Sequence, residues 1–175
     1  MIGVAIREAR ELKGITQREL AQLSFLSDKT ISAVETGKRA LTLESLDFIC
    51  NELNDPRVYL ESTNKVCNGV FGVQWLDGEA ADLHRASVKE KVMEELSEAI
   101  RAINSIKTYK NPKICSKEEM EDNRYSIQQA IDAFNATGIY IAVMCRECGF
   151  DIKEMFEDNR GKLIQRKYLK GRFER

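Results

Sequence analysis

The sequence predicts an all-α protein: an N-terminal unit of four or five short helices, then a C-terminal bundle of longer ones. Three observations carry this. Apolar residues recur at spacings of three and four through most of the chain, the period of an amphipathic helix. Several of these stretches open on a Ser, Thr or Asp followed three residues later by Glu, the pattern of a capping box. The breaks between them are short and carry Gly, Asp-Pro or Asn-Pro.

The elements follow in order. Ile2, Ile6, Ala9 and Leu12 share a helical face, and Gly14 stands where a C-terminal cap is expected. Thr16 and Glu19 open a second helix through Leu20, Ala21 and Leu23. Ser27 caps a third carrying Ile31 and Val34, which Gly37 ends. Thr42 opens a fourth with Leu43, Leu46, Ile49, Cys50 and Leu53 on one side. Asp55-Pro56 supplies an N-cap with proline at the first helical position. Residues 61–86 interleave the turn formers Asn64, Asn68, Gly69, Gly72, Asp77 and Gly78 with Val66, Val70, Phe71, Val73 and Trp75. That mixture reads as an ordered connector with room for a short hairpin, since a flexible linker would not carry Phe71 and Trp75.

Beyond it, Ser87 and Glu90 form a capping box before the stripe Val88, Val92, Leu96, Ile100, Ile103 and Ile106. Asn111-Pro112 breaks that helix. Ser116 and Glu119 open a long one with Ile127, Ala130, Ile131, Phe134, Ile141 and Cys145, stopped by Gly149. Asp151 and Glu154 start the last, through Met155, Phe156, Leu163 and Ile164. The boundaries read from sequence are residues 1–60, a connector 61–86, and a helical module 87–175 for oligomerisation or sensing.

Composition narrows the function classes. At 175 residues and 43% apolar content the chain has material for one or two small cores, and 31% charged residues suit a folded protein. No apolar run approaches the roughly 20 residues that span a bilayer, and charges within the first ten residues leave no signal-peptide core. No membrane association and a cytoplasmic location are expected. Five cysteines, Cys50, Cys67, Cys115, Cys145 and Cys148, are an odd number and read as reduced thiols. Cys145 and Cys148 form a lone CxxC, while a structural zinc site needs four ligands; no metal and no cofactor are expected. His84 is the single histidine, so no catalytic set is visible and no enzyme activity is expected. Asp77, Glu79 and Asp82 read as solvated acids.

A net charge of −1 does not announce nucleic-acid binding, and positions 1–55 carry seven basic against nine acidic residues. Any such affinity has to be local. From Arg160 to Arg175 there are seven basic residues and one acid, Glu174. This run reads first as a solvated helix face with a frayed end, and second as a contact to DNA phosphates or to an acidic partner.

The segment from Thr16 to Gly37 carries the main functional signal. Ala21 is small where two helices must cross, Leu20, Leu26, Ile31 and Val34 are apolar where they pack, and Asp28, Lys29, Ser32, Ala33 and Thr36 fall outward between them. Short polar outward residues suit a helix lying in a DNA groove. In this pattern the segment resembles the lambda-repressor/Cro (XRE-type) helix-turn-helix family. The resemblance spans residues 5–54, because Ile6–Gly14 and Leu41–Leu53 match the family's first and fourth helices.

The resemblance implies a sequence-specific, repressor-like transcription regulator of bacterial or phage kind, binding double-stranded DNA at a palindromic operator as a dimer. It places Gln17 on a phosphate, Asp28, Lys29 and Ser32 on bases with Ala33 as a further position, and Thr36 beside them. Lys38 and Arg39 fall on the DNA backbone, and Arg10 with Glu35 in a buried ion pair. Phe25 stands where the family holds a glycine, so the turn is either strained or reshaped.

A homodimer or higher oligomer is expected through residues 88–168, a region that faintly resembles helical extensions of phage-associated regulators. Three alternatives remain open. The C-terminal half could sense a protein or small-molecule effector; the chain could be the antitoxin of a toxin–antitoxin pair; or it could be an interaction protein whose helix-turn-helix no longer reads DNA.

Overall fold

The computed structural model describes residues 1–106 and 110–170. Among them the elements are α1 (Ile2–Leu12), α2 (Gln17–Leu23), α3 (Asp28–Glu35), α4 (Leu43–Leu53), α5 (Pro56–Cys67), α6 (Arg85–Ser105), a 3-10 turn (Pro112–Ile114), α7 (Lys117–Cys148) and α8 (Ile152–Gln165). No strand occurs among the described residues, so the fold class is all-α. The chain divides into two compact units: Met1–Ser62 joined by the residues from Cys145 onward, and Thr63–Met144.

In the first unit the helix boundaries follow from capping chemistry. Thr16 accepts a hydrogen bond from the Glu19 N–H while Glu19 accepts from the Thr16 N–H, a reciprocal capping box. Ser27 and Thr42 cap α3 and α4 through the N–H groups of Thr30 and Ser45. Asp55 Oδ1 receives the N–H groups of Arg57 and Val58 at 2.9 and 3.2 Å, so α5 starts on Pro56, which has no N–H to satisfy. Gly37 closes α3 at φ +72, a left-handed value that glycine takes without strain.

The apolar faces converge on one core of Ala5, Ile6, Ala9, Leu20, Ala21, Ile31, Val34, Leu46, Ile49, Cys50, Leu53 and Val58. Each large side chain fully buried there contributes about 1.5–3 kcal/mol. Leu43, read as part of this face, is exposed instead, because it lies in the first turn of α4, beyond the core's edge. Gly3 lets α1 approach α3 closely: a Cβ on it would sit 2.2 Å from the Val34 carbonyl oxygen.

The last helix belongs to this unit. Asp151 caps α8 through the Glu154 N–H, and its other oxygen accepts from Asn54 Nδ2 at 2.8 Å. The Arg146 guanidinium donates to both carboxylate oxygens of Asp55, at 2.7 and 2.8 Å, and Ile152 is buried. The expectation that 145–175 belong with the second module is corrected by these contacts, which pair polar residues 91 and 97 positions apart and leave no local sequence signature.

The second unit differs from expectation at its start. Helix α5 runs on to Cys67, and residues 68–84 alternate turns with irregular backbone, so no hairpin is made. The connector is pinned nonetheless. Asn64 Nδ2 donates to the Val73 carbonyl at 2.7 Å, the Gln74 N–H donates to Asn135 Oδ1 at 2.6 Å, and Val73 packs where Gly138 has no Cβ. Helix α6 begins at Arg85, with the His84 ring accepting the Ala86 N–H. Ser87 is therefore not the cap; its hydroxyl donates to Asp82. Asp82 also accepts the His84 N–H, and these two bonds, the Ser87 bond foremost, hold its carboxyl below the usual range. Ser116 and Glu119 make the expected capping box on α7. A cleft of about 430 Å³ within this unit is walled by Leu76, Val88, Ile131, Phe134 and Ile139, with Lys91 and Glu95 among its polar residues.

Candidate nucleic-acid interface

Helix α3 has two faces. Thr30, Ile31, Val34 and Glu35 are buried, whereas Asp28 and Lys29 are exposed and Ser32 and Ala33 half-exposed, with Thr36 exposed at the C-cap. At 3.6 residues per turn, residues 28, 29, 32, 33 and 36 fall within an arc of about 140°, wide enough for one helix face to meet a groove floor.

What holds α3 in place is Glu35, whose side chain is 1% exposed. Its Oε1 accepts from Arg10 Nε at 2.6 Å, and its Oε2 from Arg10 Nη2 at 3.1 Å and Gln17 Nε2 at 2.7 Å. Arg10 Nη1 also donates to the Ile15 carbonyl at 2.9 Å. One carboxylate thus ties α1, α2 and α3 together. The hydrogen bond to Glu35 raises the Arg10 pKa, burial opposes it, and the charges of Glu35 and Glu11 add to the rise. A buried pair satisfied on this many sides is costly to break from one side only.

Gln17 is turned inward by this network. One of its two amide protons goes to Glu35, which leaves the other proton, the amide oxygen and the free N–H groups at the start of α2 for a phosphate. Sequence reasoning places Gln17 at a helix start but misses its bond to Glu35. Eighteen positions separate them, so no local pattern shows it.

Asp28 Oδ1 accepts the Lys29 N–H at 2.9 Å, so part of its acceptor capacity is used at the helix start. The Lys29 side chain is exposed. After Gly37 the Lys38 and Arg39 N–H groups both donate to the Ala33 carbonyl, at 2.8 and 3.1 Å, which folds the two basic residues back over the end of α3. Arg39 Nη1 reaches Thr30 Oγ1 at 3.2 Å, and Lys38 is exposed.

The turn between α2 and α3 keeps the left-handed geometry: Phe25 sits at φ +56. Its ring is 81% exposed and meets Phe48 of α4 edge-on, with centroids 5.4 Å apart. Below it the Ser24 hydroxyl, fully buried, donates to the Leu20 carbonyl at 2.6 Å. The turn is thus strained rather than reshaped, and one aromatic contact offsets part of the cost.

Two short helices with an outward polar arc on the second, locked by a buried ion pair to a preceding helix, define a helix-turn-helix DNA-binding domain. The helix-turn-helix family model matches residues 6–58. The N-terminal domain is therefore of the lambda-repressor/Cro (XRE) type, the DNA-binding part of a transcription regulator. Across the longer chain, antitoxin PezA of Streptococcus pneumoniae serotype 4 (strain ATCC BAA-334 / TIGR4) is 26% identical over 139 residues, which cover 77% of this chain and 84% of that protein. No solved structure matches.

The remaining candidates stay apart from this site. Cys145 is buried, and burial pushes its thiol up; Cys148 is exposed, so the CxxC does not present two thiols alike. Among the described residues no group of three His, Cys, Asp or Glu converges as a metal site, and no helix is long and apolar enough to cross a membrane.

Proposed function

We propose that this chain is a sequence-specific, repressor-like regulator that binds a palindromic operator as a homodimer, α3 of each copy reading one half-site. The observation that carries this reading is the outward arc of α3, with Lys29 free to donate to a guanine and Ser32 and Ala33 short enough to let the helix sit close to the bases. Asp28, Lys29, Ser32 and Ala33 are the base-facing set. Gln17, Lys38 and Arg39 are the backbone-facing set, with Thr36 at their border.

The dimer is supported by the second unit. Met93, Leu96, Ile100 and Ile103 on α6, and Ile127, Ile131 and Phe134 on α7, are large, apolar and exposed. Each row repeats at spacings of three and four, the pattern of a helix seam that another helix covers.

A second reading is the antitoxin of a toxin–antitoxin pair. It is favoured by the similarity to the antitoxin PezA, which extends well beyond residues 6–58. Both readings need DNA binding, so one experiment tests their shared part. Selection of binding sites from random duplexes by the full chain should return an inverted repeat with half-sites about one helical turn apart. Lys29→Ala should cost about 1–3 kcal/mol there and relax one base position. A chain with no sequence preference at about 100 mM salt, and no affinity at lower salt, ends the DNA reading. Co-expression with the product of an adjacent gene then separates the two: stoichiometric capture of a small toxic protein selects the antitoxin.

A further inference from the structure

We infer that the basic end of α8, with Arg160, Lys162, Arg166, Lys167 and Lys170, is a second contact to the DNA phosphate backbone, carried by the same unit as α3. The inference rests on the DNA-binding reading above and adds a site to it.

Charge along α8 is segregated. Its first half holds Glu154, Glu157 and Asp158 beside Lys153, whereas from Arg160 to Lys170 there are five cations and no acid. All five are exposed, and none has a carboxylate within ion-pair distance among the described residues. A merely solvated helix in this protein looks different. On α6, Lys91 pairs with Glu94 and Glu95, Lys89 with Glu90, and Arg101 with Glu98. The α8 end lacks that mixture of signs: Glu157 and Asp158 lie within a turn of Arg160 and Lys162 without pairing with them, and Arg166 and Lys167 have no acid within four positions, so their repulsion is without near compensation. An external polyanion would supply it.

Backbone geometry fixes how this end of the helix closes. Helix α8 ends in a Schellman closure, with the Lys167 N–H on the Ile164 carbonyl and the Tyr168 N–H on the Leu163 carbonyl, both at 2.9 Å. The left-handed residue of that closure is Lys167, at φ +63. At the ends of α1, α3 and α7 the corresponding residue is Gly14, Gly37 or Gly149. After α2, α4 and α5 it is Phe25, Asn54 or Asn68, so glycine is not the rule at these closures, and Lys167 adds a cation at the end of α8.

The anchoring of α8 puts this charge on the same unit as the reader helix. Asp151–Asn54, Lys153–Asn51 and Ile152 hold its first turn on the unit that contains α3. Over positions 1–62 and 145–170 the unit has fifteen basic and fifteen acidic residues; without the five cations it would have ten against fifteen. A reader with that deficit would be repelled by DNA at long range, and the α8 end cancels the deficit. Spaced, flexible cations on one helix end fit phosphates rather than base edges, so the contact is sequence-independent.

The test uses the full chain and a random-sequence duplex of about 30 base pairs, with binding followed by fluorescence anisotropy from about 50 to 200 mM salt. Removing one cation from a phosphate should reduce the slope of log K against log salt by about 0.9, so R160Q/R166Q/K170Q should reduce it by about 2–3. The charge-preserving R160K/R166K/K170R should keep the slope. Lys167→Gly separates charge from structure, because it relieves strain and should raise the melting temperature while lowering the slope by about one. An unchanged slope in both the triple Gln variant and Lys167→Gly overturns the inference while DNA binding stands, and would point to an acidic protein surface instead. If the triple Gln variant does not fold, the Lys167→Gly slope decides alone. No binding by the unaltered chain at the lowest salt overturns the DNA-binding reading itself.

Discussion

The two units treat the same sequence signal in opposite ways. In the unit of Met1–Ser62 and the residues from Cys145 onward, the apolar stripes end up inside: Ile6, Leu20, Ile31 and Ile49 are fully buried. In Thr63–Met144 the stripes Leu96–Ile100–Ile103 and Ile127–Ile131–Phe134 have the same three-four spacing, yet Ile100 and Ile131 are each 59% exposed. The buried positions on those helices are Ala99, Ala102 and Ala133, with Val88 and Val92 near the start of α6 and Ile139, Ala142 and Val143 in the last third of α7. Periodicity identifies an amphipathic helix in both units. It does not say whether the apolar face is covered by the chain's own core, and at Leu96, Ile100 and Ile103 and at Ile127, Ile131 and Phe134 it is exposed.

The largest contrast should appear on removing one ion-paired cation in each unit. Arg10→Ala leaves Glu35 buried with only Gln17 donating to it, and should destabilise the first unit by about 3–5 kcal/mol. Lys91→Ala removes two pairs, i,i+3 to Glu94 and i,i+4 to Glu95, of a lysine that is 55% exposed on a helix surface, and should cost no more than about 1 kcal/mol. Urea denaturation of each variant reads both. Similar destabilisation in the two units would mean that the exposed pairs of α6 hold their helix as firmly as the buried pair holds α3.

A second contrast separates core from surface among apolar residues. Ile49→Ala should cost about 2–5 kcal/mol, because it opens a cavity in a packed core. Ile100→Ser should change the stability of an isolated chain by less than about 0.5 kcal/mol, as a surface substitution does. It should instead shift a dimer seen by sedimentation equilibrium toward monomer. Full self-association by a variant carrying both Ile100→Ser and Ile131→Ser would remove this face from the dimer reading.

Helix starts were legible because their chemistry is local. Thr16, Ser27, Thr42, Asp55, Ser116 and Asp151 cap helices through N–H groups two or three residues away, and all six could be found in the sequence. The outward set on α3 was legible for the same reason, since eight residues of helix fix which side chains share a face. Long-range polar pairs were not. Asn54–Asp151 and Arg146–Asp55 decide which unit holds α8, and nothing in either segment announces the other. The pattern places the start of α6 too late, because a capping box at Ser87 and Glu90 fits it as well as the His84 ring that performs the capping, and pattern alone does not rank them.

The smallest effect belongs to the turn itself, and it tests whether the first unit is as self-contained as its core. Phe25 at φ +56 carries a strain of about 1–3 kcal/mol, while its edge-on contact with Phe48 returns about 0.5–1.5 kcal/mol. Phe25→Gly removes both terms, and it adds backbone freedom to the unfolded chain worth about 0.4–1 kcal/mol. These nearly cancel, so stability should move by no more than about 1 kcal/mol. A double-mutant cycle with Phe48→Ala isolates the ring contact and should give a coupling near 0.5 kcal/mol, the low end of the range, because the ring is mostly in water. If Phe25→Gly instead destabilised the chain by about 3 kcal/mol or more, a range reserved for core defects, the ring would be packing against far more than Phe48.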